Sequence, residues 1–215
     1  MRSTLPMPKF FFPMLRMIYH LHFGVLFMAR WLLNYFYREP LFRSRCATIG
    51  EGFHMWLMPD ITGHPKIFIG SHVNFYGHVG ITSGRIFDEP RLVIGDRVDV
   101  GHNVNIVVNK EIIFEEGVKI ASGCCFMDTD AHPRDATARV SYLPPPPEEV
   151  KPVRICRNAW IGQDSFILKG VTVGEGAVIG VNSVVVTDIP PYSVAMGNPA
   201  RVVVKNTAPA SVLAG

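Results

Sequence analysis

From residue 49 onward an aliphatic side chain returns at every sixth position. The clearest run is Ile161, Ile167, Val173, Ile179 and Val185, followed four residues later in each case by a smaller or aliphatic residue: Ser165, Val171, Ala177, Ser183 and Ile189. Gly162, Gly174 and Gly180 directly follow three of these aliphatics. The frame recurs upstream as Ile69/Phe75/Ile81, Ile94/Val100/Ile106 and Phe114/Ile120/Phe126, with Ile49 opening the series. A period of six suits neither an α-helix nor an alternating strand. It describes a coil with three flat sides, each side a short strand with one aliphatic residue turned to the axis and glycines easing the corners. Coils stacked at the strand spacing of about 4.8 Å align like residues in columns and bury together what none could bury alone. The predicted fold is all-β, a parallel β-helix of roughly five coils. A β-sandwich with coincidental spacing is the competing reading.

The frame breaks twice. Residues 55–67 (MWLMPDITGHPKI) read as a loop leaving the coil, and the frame is lost again over 127–154. The second break opens with DTDAHPRD, residues 128–135, and continues through Pro144–Pro147, a stiff extended arm. Loops that leave a rigid solenoid are where function concentrates. His132 therefore stands out among the eight histidines.

Residues 160–203, WIGQDSFILKGVTVGEGAVIGVNSVVVTDIPPYSVAMGNPARVV, closely resemble the C-terminal half of hexapeptide-repeat acyltransferases. These include galactoside and maltose O-acetyltransferases, xenobiotic acetyltransferases and the sugar O-acetyltransferases of polysaccharide assembly. The resemblance extends over about 48–205 and is strongest over 94–203. It implies a left-handed β-helix, a homotrimer with active sites between subunits, and acetyl-CoA as donor. It also implies that His132, followed by Pro133, is a general base for direct transfer. Neutral His132 would take the proton of an acceptor hydroxyl attacking the thioester, with backbone N–H groups stabilising the oxyanion. Asp128, Asp130 or a backbone carbonyl would orient the ring. On the same footing Trp160, Gly162, Gly180, Val181, Val186 and Thr187 match positions lining a CoA groove, and Arg201 and Lys205 suit its phosphates. Relatives often carry lysine where Thr187 stands. Asn103, Asn105 and Asn109 either bind acceptor hydroxyls or ladder between coils.

Two other chemistries are weighed. Cys124 occupies the small inward slot of the frame, which predicts a packed, inert thiol, and Cys125 has no evident activating neighbour. The four cysteines show no metal or disulfide spacing and read as reduced thiols facing the cytoplasm. Carbonic anhydrases of the γ class share the implied fold and bind zinc through three histidines. Here His54, His64, His72, His78 and His102 lack that family's close pair, so no metal is expected.

Residues 1–45 stand apart. Charged residues make up only 18% of the 215-residue chain, and its net charge of +3 is unevenly held. Residues 1–50 carry Arg2, Lys9, Arg16, Arg30, Arg38, Arg43 and Arg45 against Glu39 alone. On a helix, Lys9, Arg16, His20, Arg30, Asn34 and Arg38 fall within about 80° of arc, on an otherwise apolar, aromatic body. This pattern predicts an amphipathic helix over 8–38 that lies on a membrane surface or packs against protein. The stretch free of Lys and Arg, 17–29, is too short to span a bilayer, and no signal-peptide cleavage site follows.

The expected organisation is a helical segment (1–45), an acyltransferase β-helix (46–205) and a flexible tail (206–215). The expected protein is a cytoplasmic, peripherally membrane-associated O-acetyltransferase acting on a saccharide, lipid-linked in cell-surface polysaccharide assembly, with no nucleic-acid partner. The alternatives are a soluble acetyltransferase for a small sugar, antibiotic or amine, and an inactive trimeric scaffold.

Overall fold

The computed structural model describes residues 8–205. The expected tail at 206–215 lies outside the described residues. The body is a left-handed parallel β-helix. Its first face stacks Thr48–Ile49, Lys66–Ile69, Arg91–Ile94, Glu111–Phe114, Val153–Ile155 and Thr172–Val173. The second stacks His54–Met55, Asn74–Phe75, Asp99–Val100, Lys119–Ile120, Trp160–Ile161, Val178–Ile179 and Val194–Gly197. Asp60–Thr62, Val79–Thr82, Val104–Val107, Cys125–Met127, Phe166–Ile167 and Val184–Val185 form the third. All these strands pair in parallel, and the antiparallel strand Ala200–Val204 then closes the second face.

The described residues form six full coils, against the roughly five expected. The difference lies at 55–67, where the expected loop is in fact most of the first coil. Asp60–Thr62 pairs in register with Gly80–Thr82, and Ile49, Met55 and Ile61 keep the six-residue spacing, so the frame runs through the first coil. The real departures are at 83–90 and at 128–152, both at the corner leading from the third face back to the first.

The aliphatic frame is the interior. Ile161, Ile167, Val173, Ile179 and Val185 are buried, as are the smaller residues Ser165, Val171, Ala177 and Ser183 that follow them. Register carries the columns along the axis: Ile69 pairs with Ile94, Ile94 with Phe114, Phe114 with Ile155 and Ile155 with Val173. The corner glycines do a different job from the one expected. Gly162 is not in a left-handed conformation. A Cβ there would lie 2.5 Å from the Ile179 carbonyl oxygen and 2.8 Å from the Val181 nitrogen, so the next coil comes too close for any side chain. The left-handed turns belong to Asn158, Asp164, Gly170, Gly176 and Asn182, six residues apart, the residue types that tolerate positive φ.

One continuous helix precedes the β-helix: a 3₁₀ turn at Lys9–Phe11, α-helix at Phe12–Leu33, a π segment at Asn34–Arg38 and α-helix at Glu39–Arg45. The π segment falls just before Pro40, which has no N–H to donate to the preceding turn. At the far end Phe42, fully buried, stacks on Phe53 and meets Phe75 edge-on, plugging the open end of the first coil.

The glycine geometry predicts opposite outcomes for one chemical change. Gly162→Ala forces apart the backbones of two coils and should lower stability by about 1–3 kcal/mol. Gly24→Ala, where nothing lies within 4 Å of the added methyl, should leave the melting midpoint unchanged or raised. Thermal melts followed by circular dichroism read both.

Candidate active site

The long excursion leaves the third face after Met127 and returns at Val153. Its base is closed by a hydrogen bond from the Lys151 N–H to the Asp128 carbonyl, 2.9 Å. The Asp128 side chain, fully buried, accepts from the backbone N–H groups of Asn109 (2.8 Å), Lys110 (2.6 Å) and Glu111 (2.9 Å). Burial pushes its carboxyl upward, and the three amides pull against that shift. Asp128 is thus committed to clamping the loop onto the corner of the preceding coil, not to orienting an imidazole.

His132 rides on this clamp, exposed to solvent. Just before it Ala131 has φ +64°, a left-handed conformation that costs an alanine about 1 kcal/mol or more, and its N–H is held by the buried Thr129 hydroxyl at 3.1 Å. Just after it the Arg139 guanidinium donates to the carbonyls of Pro133 and Arg134, both at 3.0 Å. The turn that presents His132 is therefore fixed from both sides. Asp130 does not hold the ring either: its carboxylate bonds Lys169 Nζ at 2.7 Å, with Arg134 at 3.7 Å. Glu149 lies 3.8 Å from both Lys169 and Arg134, completing a charged cluster that ties the loop to the next corner of the stack. Lys169 and Glu149 carry no motif, and sequence reading passed over both.

The asparagines divide. Asn109 is buried, its side-chain oxygen accepting the Gly84 N–H at 2.9 Å, so it stitches two corners. Asn103 occupies a left-handed corner at φ +55°. Only Asn105 presents its side chain outward on the third face, over Gly80. Near it, and unforeseen, His78 Nε2 meets the Asp60 carboxylate at 2.8 Å, an exposed pair on the same face.

The expected donor positions fall in three places. Trp160 lies on the second face and Gly162, Gly180 and Val181 at the corner between it and the third, with Trp160 and Val181 exposed. Val186 and Thr187 follow the last strand of the third face, on the edge that also sheds the His132 loop. Arg201 and Lys205 are exposed on the closing antiparallel segment and just beyond it. Within one chain these groups flank the third face from opposite edges.

Comparison with known proteins agrees with this architecture. Residues 152–187 match the family described as bacterial transferase hexapeptide (six repeats). Galactoside O-acetyltransferase of Escherichia coli (strain K12) is 32% identical over 168 residues, covering 77% of this chain and 67% of that protein. The chain belongs to the hexapeptide-repeat acyltransferases. A putative acetyltransferase of Staphylococcus aureus (strain MRSA252) is 39% identical over 128 residues, 54% of this chain and 62% of that protein, so the match spans less than two thirds of it. Two solved structures share the fold at low identity. One is a hexapeptide-repeat acetyltransferase of Vibrio cholerae (TM-score 0.57, 22% identical, 80% of each chain). The other is the N-acyltransferase AntD of Bacillus cereus (TM-score 0.61, 16% identical, 83% of this chain and 94% of that one).

In this acyltransferase the thiols are poor nucleophiles. Cys124 is buried, with its sulfur 3.2 Å from the Gly162 carbonyl oxygen, and burial pushes its pKa up to about 11. Burial also raises Cys125, which faces outward but is nearly covered. Among the described residues no three His, Cys, Asp or Glu side chains converge as a metal site.

The two aspartates are predicted to separate cleanly. Asp128→Ala orphans three backbone N–H groups and should cost at least about 1–3 kcal/mol. Asp130→Ala removes a partly exposed ion pair and should cost less than about 1 kcal/mol. Chemical denaturation of the two variants checks the order, and equal losses would contradict the clamp.

Proposed function

We propose that this acyltransferase moves an acetyl group from acetyl-CoA to a hydroxyl of a saccharide, with His132 as general base and no covalent enzyme intermediate. The carrying observation is the clamped excursion that exposes His132 on a fixed turn at the edge of the third face. As neutral imidazole, His132 takes the proton of the acceptor hydroxyl while that oxygen attacks the thioester carbonyl. The protonated ring then returns the proton to the departing thiolate. Within one chain Asp128 and Asp130 are engaged elsewhere, so the ring is oriented by a backbone carbonyl or by a group of a neighbouring subunit or the bound acceptor.

On the donor side Trp160, Gly162, Gly180, Val181, Val186 and Thr187 line the groove between copies of a homotrimer. Arg201 and Lys205, exposed on the closing segment and just beyond it, attract the CoA phosphates. On the acceptor side Asn105, with the Asp60–His78 pair one to two coils away, offers hydroxyl-binding groups on one face. Asn103 and Asn109 serve the scaffold. The galactoside specificity named for the Escherichia coli relative supports a saccharide acceptor. A lipid-linked saccharide, met at the cytoplasmic face of a membrane in cell-surface polysaccharide assembly, follows from the basic, apolar helix ahead of the β-helix. A small sugar, antibiotic or amine acceptor, or an inactive scaffold, are the outcomes that would replace it.

Labelled acetyl-CoA offered to a panel of free and lipid-linked saccharides tests the acceptor class. His132→Ala should reduce kcat by about 10²–10⁴-fold with folding intact. Cys124→Ala with Cys125→Ala should keep most of the turnover. Full activity without His132 would remove it from the mechanism.

A further inference from the structure

The helix Lys9–Arg45 is mounted the wrong way round for a soluble protein. It is 37 residues long, and by length and composition it is apolar enough to cross a membrane. A helix packed on a soluble domain turns its apolar face to the domain and its charges to water. Here the contacts run through the polar stripe. Asn34 Nδ2 donates to the carbonyls of Met55 (3.0 Å) and Trp56 (3.2 Å), and Arg38 donates to the Asn34 side chain at 3.1 Å. Arg45 donates to the Gly63 carbonyl at 2.9 Å, and Phe27 meets Trp56 edge-on. At about 100° per residue, Phe27, Asn34 and Arg38 point along the arc that also holds Lys9, Arg16, His20 and Arg30.

The opposite arc carries Met14, Ile18, Leu21, Val25, Met28, Leu32 and Phe36, with His22 at its margin. All are exposed, Leu21 at 67% and Phe36 at 70%. Leaving such a strip in water is unfavourable at roughly 25 cal/mol per Å². Between the two arcs lie the amphipathic aromatics, Tyr19 and Tyr37 on one side, Trp31 and Tyr35 on the other. They run along the length of the helix rather than gathering at its ends.

We infer that this helix lies in the plane of an anionic bilayer, apolar strip downward, and holds the first coil of the β-helix against the headgroups. The three bands match the layers of a membrane surface: acyl chains under the apolar strip, interfacial aromatics at the boundary, Lys and Arg at phosphate level. A span of about 20 residues centred on this helix would put Arg16 or Arg30, with His20 and His22, inside the hydrocarbon; an in-plane helix keeps the two arginines and His20 on the water side. Charge favours lipid over a protein partner, because the described helix has no acidic residue before Glu39, which is itself bonded to Arg43. Arg30 borders a cavity of about 190 Å³ between the helix and the first coil, walled by Phe27, Trp31, Tyr35 and Trp56. It is placed at the level of lipid phosphates.

The arrangement also deepens the proposed acceptor, and in that respect rests on the proposed function. The helix meets the first coil, and Phe42 reaches Phe75 in the second, whereas the His132 loop leaves the fourth. Three coil steps put the base about 14 Å along the axis from the anchoring coil. The hydroxyl acetylated is therefore one carried away from the bilayer by the saccharide, not one beside the lipid phosphate.

The test uses the full chain and phosphatidylcholine vesicles with and without phosphatidylglycerol. The protein should cosediment with the anionic vesicles, less so in high salt. A combined Ile18→Glu, Val25→Glu, Leu32→Glu variant should lose at least tenfold in binding. It should keep its melting midpoint, its sedimentation mass without lipid, and its turnover of a soluble acceptor. Binding unchanged in the triple variant overturns the inference. So does a fall in the variant's mass without lipid, which would assign the strip to contacts between copies. Protection of an N-terminal tag from protease added outside the vesicles would show a spanning helix and also overturn it. Vesicle binding is read without acyl transfer, so it stands or falls separately from the enzymatic reading.

Discussion

Everything in this molecule depends on coils that stack at hydrogen-bonding distance in parallel register. That spacing lets a short side carry a single inward residue, because the coil above and the coil below complete its packing. It also sets the strictest steric rule in the chain. At Gly162 the backbone of the next coil occupies the space a methyl group would need. At Asn158, Asp164, Gly170, Gly176 and Asn182 the turn demands positive φ. Aliphatic interior and left-handed turn each repeat every six residues, and flush glycine corners recur in the same frame at 162, 174 and 180, so hydrophobic burial, backbone torsion and close approach specify the same coil.

The His132 loop follows from interrupting that regularity. Where the chain leaves the stack after Met127, the amides of Asn109, Lys110 and Glu111 face a corner that the excursion has vacated. Buried donors without partners are costly, and the Asp128 carboxylate takes all three. The residue that repairs the break is also the first residue of the loop, so the repair fixes where the loop starts. Ala131, strained and held by Thr129, and Arg139, bonded to two carbonyls, then fix where it points. An exposed histidine on an over-determined turn is consistent with the strain that catalytic positions carry.

How far this was legible follows from what each signal encodes. Inward residues differ in chemistry from their neighbours, so the frame from Ile69 to Val185 could be read directly. The first coil carries the same frame as Ile49, Met55 and Ile61, but the Pro, Gly and His residues between 55 and 67 make that stretch look like a loop. The left-handed period of Asn, Asp and Gly was present in the letters but hidden by attention to the glycines after the aliphatics. At His132 the break in the frame was informative. The roles of Asp128 and Asn109 were not, since a corner carboxylate or amide looks the same whether it serves a ligand or an orphaned N–H. Lys169 and Glu149 reach the site only through folding, and no local pattern marks them. Asp60 and His78 are eighteen residues apart and meet only because adjacent coils stack.

The N-terminal helix shows the same limit in sharper form. Its basic stripe and apolar body are visible on a helical wheel, but a wheel has no fixed direction in space. Direction comes from tertiary contacts, and here a few polar ones decide it: Asn34 to the carbonyls of Met55 and Trp56, and Arg45 to that of Gly63. These bonds use carbonyls at the open end of a stack, where no further coil exists to receive them. The unfinished end of the solenoid thus attracts the polar side of the helix and turns the apolar side outward. Phe42 plugs the same end. Capping a β-helix and presenting an apolar strip are then two results of one docking geometry, and the solenoid's need for a cap sets how the strip is aimed.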